Sequence, residues 1–237
     1  MSSGLLIVAH GTRDAAGARA SERLAEAVRH RLAGVDVRLA YVDVRPPSIA
    51  EVLPAMLADS PPDGCALVVP AFLASGYHVR RDLPAQLAAC GATDRMRVTG
   101  ALGPDPRLVT ACADRLCAAG WRHGDAVVLA TAGSADLRAR AEGHQVARAL
   151  ARRLGCPVRV SYLAGEGPRL DDTVAQLHAV RQRVAVASWL LAPGEFQNRL
   201  LRCAAEVRAA PLGGHPLLLD AVLARYQRAA GSESAVA

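Results

Sequence analysis

The chain has 237 residues, of which 51% are hydrophobic and only 3% aromatic, so small aliphatic side chains must fill the core, as the packing of helices on parallel strands requires. Its formal net charge is +6, and arginine supplies all 28 of the Lys and Arg residues. No long basic run or basic stretch interleaved with aromatic residues is present, which argues against nucleic acid as a partner.

No apolar stretch approaches the roughly 20 residues that span a bilayer, and the apolar run after Met1 is too short for a signal peptide. We therefore expect a soluble, cytoplasmic protein that does not associate with membranes. The six cysteines are scattered without a CxxC pair, which favours free thiols in a reducing compartment.

The first half of the sequence predicts alternating strands and helices. A capping box at Ser48–Glu51 and an Asp105-Pro106 pair mark two helix starts. The predicted strands are 5–9, 35–44, 66–72 and 97–102, and the predicted helices are 15–32, 48–57, one that follows a loop at 73–82, and 106–119.

The second half predicts the same order of elements after a linker at 120–125. Alternating strands and helices with short links indicate an α/β fold with parallel sheets and right-handed crossovers. The predicted strands are 126–130, 158–163 and 184–191, and the predicted helices are 136–154, 171–180, 197–206 and 215–229.

Two motifs of the first half recur in the second. "IVAHGTRD" at 7–14 corresponds to "LATAGSAD" at 129–136, and "VVPAFLASGYHVRRDLP" at 68–84 corresponds to "VASWLLAPGEFQNRLL" at 186–201. A repeat of about 115 residues is too long for a solenoid unit. It predicts two tandem βα repeats, each a parallel four-stranded sheet flanked by helices, in domains 1–120 and 126–230.

Ala132 stands opposite His10 in this alignment, and Phe196 stands opposite His78. A doubled scaffold with both imidazoles in one copy predicts one working site in the first domain and one that has lost its function. The second repeat then provides the opposite wall of a cleft, and a monomer suffices if the two repeats pair with one another.

Three polar residues follow strands of the first half, where the functional groups of open parallel sheets gather. They are His10 after the first strand, Asp43 at the end of the second, and His78 in the loop after the third. Two imidazoles and a carboxylate suit a divalent first-row metal ion such as Co²⁺, Fe²⁺, Ni²⁺ or Zn²⁺. The alternatives are a helix-capping or loop role for His10, a surface position for His78, and an ion pair of Asp43 with Arg45 or Arg80.

Arginines cluster beside these candidate ligands. Arg13, Arg45, Arg80 and Arg81 line the same rim if the strands are neighbours. Guanidinium groups bind carboxylates and phosphates through paired hydrogen bonds, so the rim suits a bulky anion, although exposure to solvent alone also accounts for surface arginines. The histidines outside this region are expected to be structural.

Three segments together resemble the sirohydrochlorin chelatases, the ATP-independent class II chelatases that insert cobalt or ferrous iron into a tetrapyrrole. They are "LLIVAHGTRD" at 5–14, "YVDV" followed by "PPSIAEVL", and "VVPAFLASGYHVRRDLP". The resemblance covers nearly the whole chain, since long members of this family are tandem repeats with one active half. It implies that His10 and His78 are the metal-site and catalytic histidines. The family's acidic residue after the second strand is usually Glu, whereas this chain has Asp43.

The resemblance implies a role in cobalamin or siroheme biosynthesis with a divalent metal as substrate, Co²⁺ or Fe²⁺ and with Ni²⁺ as a further candidate. Imidazole changes charge near neutral pH, so a histidine can deliver the ion or accept a pyrrole proton. Asp43 would orient an imidazole or help to hold the ion. The arginines, Ser75 and Gly76 would bind the peripheral carboxylates of the macrocycle.

No nucleotide is expected in the reaction, because the chain contains neither GxxxxGK[ST] nor GxGxxG. The main enzymatic rival is the histidine phosphatase class, but Ala9 occupies the position of its arginine before the histidine. A rival of another class is a non-catalytic carrier of metal or tetrapyrrole that uses the same histidine pair without turnover.

Overall fold

Short, fully apolar segments form the central strands of the first sheet. The computed structural model of the chain describes residues 4–91 and 93–231. Its first four strands pair in parallel in the order β2-β1-β3-β4. They are β1 (Gly4–Ala9), β2 (Val37–Tyr41), β3 (Ala66–Pro70) and β4 (Met96–Val98).

The second sheet repeats this arrangement, with four parallel strands in the order β6-β5-β7-β8. The predicted α/β fold of two tandem four-stranded repeats is thereby confirmed. The strands are β5 (Ala126–Thr131), β6 (Val158–Tyr162), β7 (Val184–Trp189) and β8 (Val207–Arg208).

Two helices begin at the capping residues that the sequence indicates, Ser48 and Asp105, and another begins after a third capping residue, Asp14. Asp14 and Asp105 accept hydrogen bonds from first-turn backbone N–H groups, and Ser48 forms a complete capping box with Glu51. The helices are α1 (Ala15–Arg31), α2 (Ile49–Ala58), α3 (Leu83–Ala89), α4 (Pro106–Ala118), α5 (Leu137–Leu154), α6 (Leu170–Ala179), α7 (Glu195–Arg202) and α8 (Pro216–Gly231), with a 3₁₀ turn at Thr93–Arg95. Within the described ranges, none of them combines the length and apolar character needed to cross a bilayer.

Several predicted boundaries were wrong. Strand β2 ends at Tyr41 rather than residue 44, because the chain turns at Asp43, whose carbonyl accepts the N–H of Arg45. The predicted loop at 73–82 is shorter than expected, since a π-helical turn at His78–Asp82 leads directly into α3.

Three further boundaries differ near the ends of strands and helices. Strand β3 ends two residues earlier than predicted, and β4 covers 96–98 rather than 97–102. The helix predicted at 197–206 ends at Arg202, and strand β8 follows it. A strand of two residues is too short to show the alternation that identifies strands in a sequence.

Each sheet belongs to its own compact unit, and each unit has its own apolar core. One unit comprises the described residues up to Leu102 and from Leu219 onward, and the other is Gly103–Leu218. Helix α4 follows the first sheet in sequence but packs on α5 and β7. Helix α8 follows the second sheet, yet its Arg225 donates hydrogen bonds to the carbonyl groups of Ala101 and Leu102. The last helix of each sequence repeat therefore packs in the compact unit of the other repeat.

Candidate metal centre

His10 lies directly after β1, in the middle of the first sheet. Its carbonyl accepts the backbone N–H of Asp43, which ties it to the chain after β2. The next residue, Gly11, has a φ of 95°, and a Cβ atom there would lie 2.0 Å from the carbonyl oxygen of Asp43. Only glycine fits this turn, so the close approach of the two strand ends determines where His10 stands.

His78 lies on the π-helical turn that precedes α3. Its Nδ1 atom is 2.6 Å from Oδ2 of Asp82, four residues later. One wider turn of helix thus presents the imidazole and its carboxylate partner together. Such a turn is a rare local structure that is found frequently at functional sites.

The two imidazoles face each other through their Nε2 atoms, which are 3.0 Å apart. The rings are nearly perpendicular, with an interplanar angle of 83° and centroids 4.3 Å apart. The Nδ1 atom of His10 lies 3.1 Å from the carbonyl oxygen of Gly11, and the Nδ1 atom of His78 faces Asp82. Because both Nδ1 atoms have oxygen acceptors, we place their protons there, which directs both Nε2 lone pairs into the same gap.

A proton or a metal ion is needed between two such lone pairs. Nitrogen ligands lie about 2.1 Å from a divalent first-row ion, so two nitrogens 3.0 Å apart subtend an angle of about 90° at the ion. That is the angle between neighbouring ligands of an octahedral centre. The pair can therefore hold one ion from one side and leave its other positions open.

Asp43 lies beside His10 along the backbone, but its carboxylate does not join the imidazoles. Its Oδ1 atom accepts the N–H of Val44 at 2.7 Å, and the side chain is exposed. Within the described residues, no three side chains of His, Cys, Asp or Glu are grouped so as to hold a metal ion. The structure brings together two of the three predicted ligands, and Asp43 stands apart from them.

Asp82 is the residue of this site that the sequence analysis missed. The signal was present as a His and an Asp four residues apart, the spacing that places two side chains on one face of a helix. The loop predicted at 73–82 gives no reason to use this signal, because the spacing has no geometric meaning in a loop.

The predicted substrate-binding residues surround the histidine pair in sequence, with Arg13, Arg80 and Arg81 exposed. Gly76 contributes its carbonyl oxygen, which accepts the N–H groups of Val79 and Arg80 and so begins the helical turn. Ser75 is half-buried just before it.

Arg45 is less exposed than the other arginines of the rim, and its guanidinium contacts two side chains of its own unit. Its guanidinium carbon lies 5.3 Å from the centre of the Tyr41 ring, and Nη2 is 3.7 Å from a carboxylate oxygen of Glu22. Burial raises the pKa of the Tyr41 phenol, which Arg45 lowers and Glu22 raises to lesser extents. These contacts hold the Arg45 guanidinium against its own unit.

Aromatic rings border the two imidazoles. The Phe72 ring centre lies 6.2 Å from that of His10, and the Tyr77 ring centre lies 6.1 Å from that of His78. Tyr77 is 64% exposed. The site thus offers a flat ligand both polar and apolar contacts.

The second repeat keeps the backbone of this site without its imidazoles. Ala164 donates its N–H to the carbonyl of Ala132, as Asp43 does to His10. Gly133 has a φ of 98°, and a Cβ atom on it would lie 1.9 Å from the carbonyl oxygen of Ala164. Phe196 lies at the start of α7. The loss of function predicted for this copy therefore concerns side chains, since the scaffold is retained.

Comparisons with known proteins agree with this architecture. The chain superimposes on SirB from Bacillus subtilis with Fe³⁺ at a TM-score of 0.83 and 21% identity, covering 99% of this chain and 98% of the other. It superimposes on the sirohydrochlorin chelatase SirB from Bacillus subtilis subspecies spizizenii in complex with cobalt at a TM-score of 0.79 and 18% identity, with the same coverage. CbiX, described as the terminal enzyme for the biosynthesis of siroheme in denitrifying bacteria, aligns at a TM-score of 0.68 and 22% identity over 93% of this chain and 98% of the other.

No curated protein sequence matches the chain significantly. Two stretches, residues 4–119 and 126–229, match the CbiX family one after the other. These two matches confirm the predicted family and its tandem form, and the chain belongs to the CbiX family.

Proposed function

We propose that this protein inserts a divalent metal ion, Co²⁺ or Fe²⁺, into sirohydrochlorin without a nucleotide. The observation that carries the proposal is the pair of Nε2 atoms 3.0 Å apart, with both Nδ1 atoms directed at oxygen acceptors. Membership of the CbiX family and the fold shared with the chelatase SirB support the same reaction.

His10 and His78 act first as the ligands that deliver the ion. Two imidazoles bind Co²⁺, Fe²⁺ or Ni²⁺ more weakly than a complete protein cage would, because most coordination positions stay open. The four macrocycle nitrogens can occupy those positions one after another, and each replaces a bond to water or to a histidine. A weak, one-sided site therefore favours transfer of the ion over its retention.

The same imidazoles act next as bases. Insertion forms four metal–nitrogen bonds and releases two protons from pyrrole nitrogens, so the charge of the incoming ion is balanced. A histidine that has released the ion has a free Nε2 lone pair beside the macrocycle and can accept a proton there. Asp82 lies 2.6 Å from the other nitrogen of His78, so its carboxylate stabilises the imidazolium that this step forms.

Asp43 contributes at the edge of this site. Its Oδ1 atom is engaged by the N–H of Val44, and we assign Oδ2 to the ion or to its bound water during entry. A shorter side chain than the Glu usual in the family suits a contact through water.

The exposed arginines bind the carboxylates on the macrocycle rim. Arg13 follows β1, whereas Arg80 and Arg81 lie on the turn that carries His78. Paired hydrogen bonds from guanidinium to carboxylate provide both attraction and orientation. The half-buried Ser75 and the backbone at Gly76 complete this rim, and Arg45 contributes less because it stacks on Tyr41.

The test is an anaerobic insertion assay with purified protein, metal-free sirohydrochlorin and Co²⁺, Fe²⁺ or Ni²⁺, followed by the absorption change without ATP. We expect insertion well above the rate without protein, and a loss of at least about tenfold in kcat for His10→Ala and for His78→Ala. His30→Ala is the matched control, because His30 is an exposed histidine of α1 that pairs with Glu26.

Three results of this assay distinguish a chelatase from a non-catalytic carrier and identify the preferred metal. Wild-type rates equal to those without protein contradict the proposal. Tight binding of metal and macrocycle without insertion indicates the carrier instead. The metal with the highest kcat/KM assigns the product to siroheme formation for iron or to cobalamin formation for cobalt.

A further inference from the structure

Val44 occupies a strained turn directly after Asp43. Its φ is 74°, and the N–H of Arg45 donates to the carbonyl of Asp43 at 2.9 Å, across a single residue. This is a three-residue γ-turn of the rare form with positive φ. A β-branched residue is an outlier in that region, because its two γ-carbon atoms crowd the backbone.

The second repeat has the same positive φ at the corresponding position, with a glycine in place of valine. Gly165 has a φ of 74° and follows Ala164, whose backbone pairs with Ala132 as that of Asp43 pairs with His10. Glycine adopts this conformation without steric cost. The backbone conformation itself therefore does not require a valine. The strained residue occurs in the repeat that has the histidines, and the repeat without them has a glycine there.

Burial does not offset the strain at Val44. The side chain is 43% exposed, among the few large apolar side chains at the surface of the described chain. It stands on the segment hydrogen-bonded to the backbone of His10, while the exposed Tyr77 stands next to His78. Strained residues of this kind cluster where ligands bind. An exposed apolar residue therefore lies close to each histidine along the backbone, Val44 through Asp43 and Tyr77 by direct sequence neighbourhood.

We propose that Val44 is a substrate-contacting residue whose side chain packs against the apolar face of the tetrapyrrole beside His10. This inference rests on the proposed function, since it assigns a contact to the same substrate. The strained turn holds the valine out of its own core, and the macrocycle covers the apolar surface that would otherwise face water. The contact determines how the macrocycle lies over the two Nε2 atoms.

The test measures binding and turnover separately. The dissociation constant for metal-free sirohydrochlorin is measured by fluorescence with no metal present. The KM for sirohydrochlorin, kcat and Tm are measured on the same preparations. Val44→Ala removes two carbon atoms and keeps a Cβ on the turn, so we expect the dissociation constant and KM to rise about 3- to 10-fold while kcat changes less than about twofold. Val44→Gly should weaken binding at least as much and raise Tm by about 2–4 °C, because it relieves the strain.

Gly165→Val is the matched control in the second repeat. A Cβ atom there would lie 3.7 Å from the nearest atom, Ser134 N, which is an ordinary van der Waals contact, so the main change is the backbone strain of a β-branched residue at positive φ. We expect this variant to lower Tm and to leave the dissociation constant, KM and kcat unchanged.

Unchanged binding and KM in both Val44 variants overturns the inference, whatever happens to Tm. A fall in kcat alone also overturns it, because that result assigns Val44 to placement of Asp43 or His10 rather than to substrate contact. A wild type that binds the metal-free macrocycle without inserting metal contradicts the proposed function, and the dissociation constants of the variants still decide the contact.

Discussion

Asp82 contacts the imidazole of His78 on the side opposite its Nε2 atom, with Oδ2 2.6 Å from Nδ1 on the same helical turn. The contact leaves only Nε2 of that imidazole available to an ion. It is shorter than the 3.1 Å between Nδ1 of His10 and the Gly11 carbonyl oxygen. The two histidines are therefore not equivalent, because Nδ1 of His78 faces a side-chain carboxylate whereas Nδ1 of His10 faces a backbone carbonyl.

Asp82→Asn is expected to impair the site without removing either histidine. An amide can present its NH₂ group to Nδ1, which moves the imidazole proton to Nε2 and blocks the lone pair that faces His10. We expect kcat or Co²⁺ affinity to fall about 10- to 100-fold. Insertion kinetics and metal titration of the free protein measure the two quantities.

Asp59→Asn provides the control for that variant, since Asp59 is an exposed carboxylate paired with Arg38. It should leave insertion at the wild-type rate. If Asp82→Asn retains both wild-type kcat and wild-type metal affinity, Asp82 does not orient His78.

The position of the histidine pair was predictable from the sequence because parallel strands end at one edge of a sheet. His10 follows one apolar strand and His78 follows the loop after another, so the sequence predicts that the two side chains lie close together. Their Nε2 atoms are 3.0 Å apart. The same rule placed Asp43 nearby but could not give the direction of its carboxylate, which depends on the turn at Val44.

Two features of the site could not be predicted because they break local rules. A positive φ at Val44 contradicts the preference of β-branched residues. The π-helical turn at His78–Asp82 has no distinct sequence pattern, so the spacing of His78 and Asp82 alone does not show that the two side chains share a helical turn. The sequence also does not predict that α4 and α8 pack in each other's compact units. Hydrophobic periodicity shows that a helix has an apolar face, but it does not show which sheet that face packs on.

The two glycines that follow the histidine positions provide a comparison within one chain. Gly11→Ala and Gly133→Ala each place a Cβ atom within about 2 Å of a carbonyl oxygen at positive φ. We expect each to lower the free energy of unfolding by at least about 2 kcal/mol. Only Gly11→Ala should also displace His10 and reduce the insertion rate of the folded protein.

Chemical denaturation gives the stability of these two variants, and insertion assays below the onset of unfolding give their activity. A Gly133→Ala protein that loses as much specific activity as Gly11→Ala would show that the scaffold of the second repeat also controls the chemistry.

The cysteines of α4 should differ sharply in reactivity. Complete burial raises the pKa of the Cys112 thiol to about 12, and its Sγ atom donates a weak hydrogen bond to the Ser188 carbonyl. Cys117 is exposed on the same helix. Because the thiolate is the reactive form, iodoacetamide should label Cys117 in the native protein and Cys112 only after unfolding. Peptide mass spectrometry gives the two rates, and native labelling of Cys112 would contradict its burial.

Glu206 should make the stability of the second unit depend on acid pH. The N–H of Val184 donates to its Oε2 atom at 2.8 Å, and this hydrogen bond, more than the contact with His178, holds the pKa of the carboxyl below its usual value. Because the pKa is lower in the folded state, the stabilisation is complete above the unfolded value of about 4.3 and is lost as the pH falls through the folded value. The Tm of Glu206→Gln should lie about 1–2 °C below that of wild type at neutral pH. That difference should shrink as the pH is lowered below about 4.3 in parallel thermal melts, and a difference that instead grows towards acid pH would reverse the sign assigned to this carboxylate.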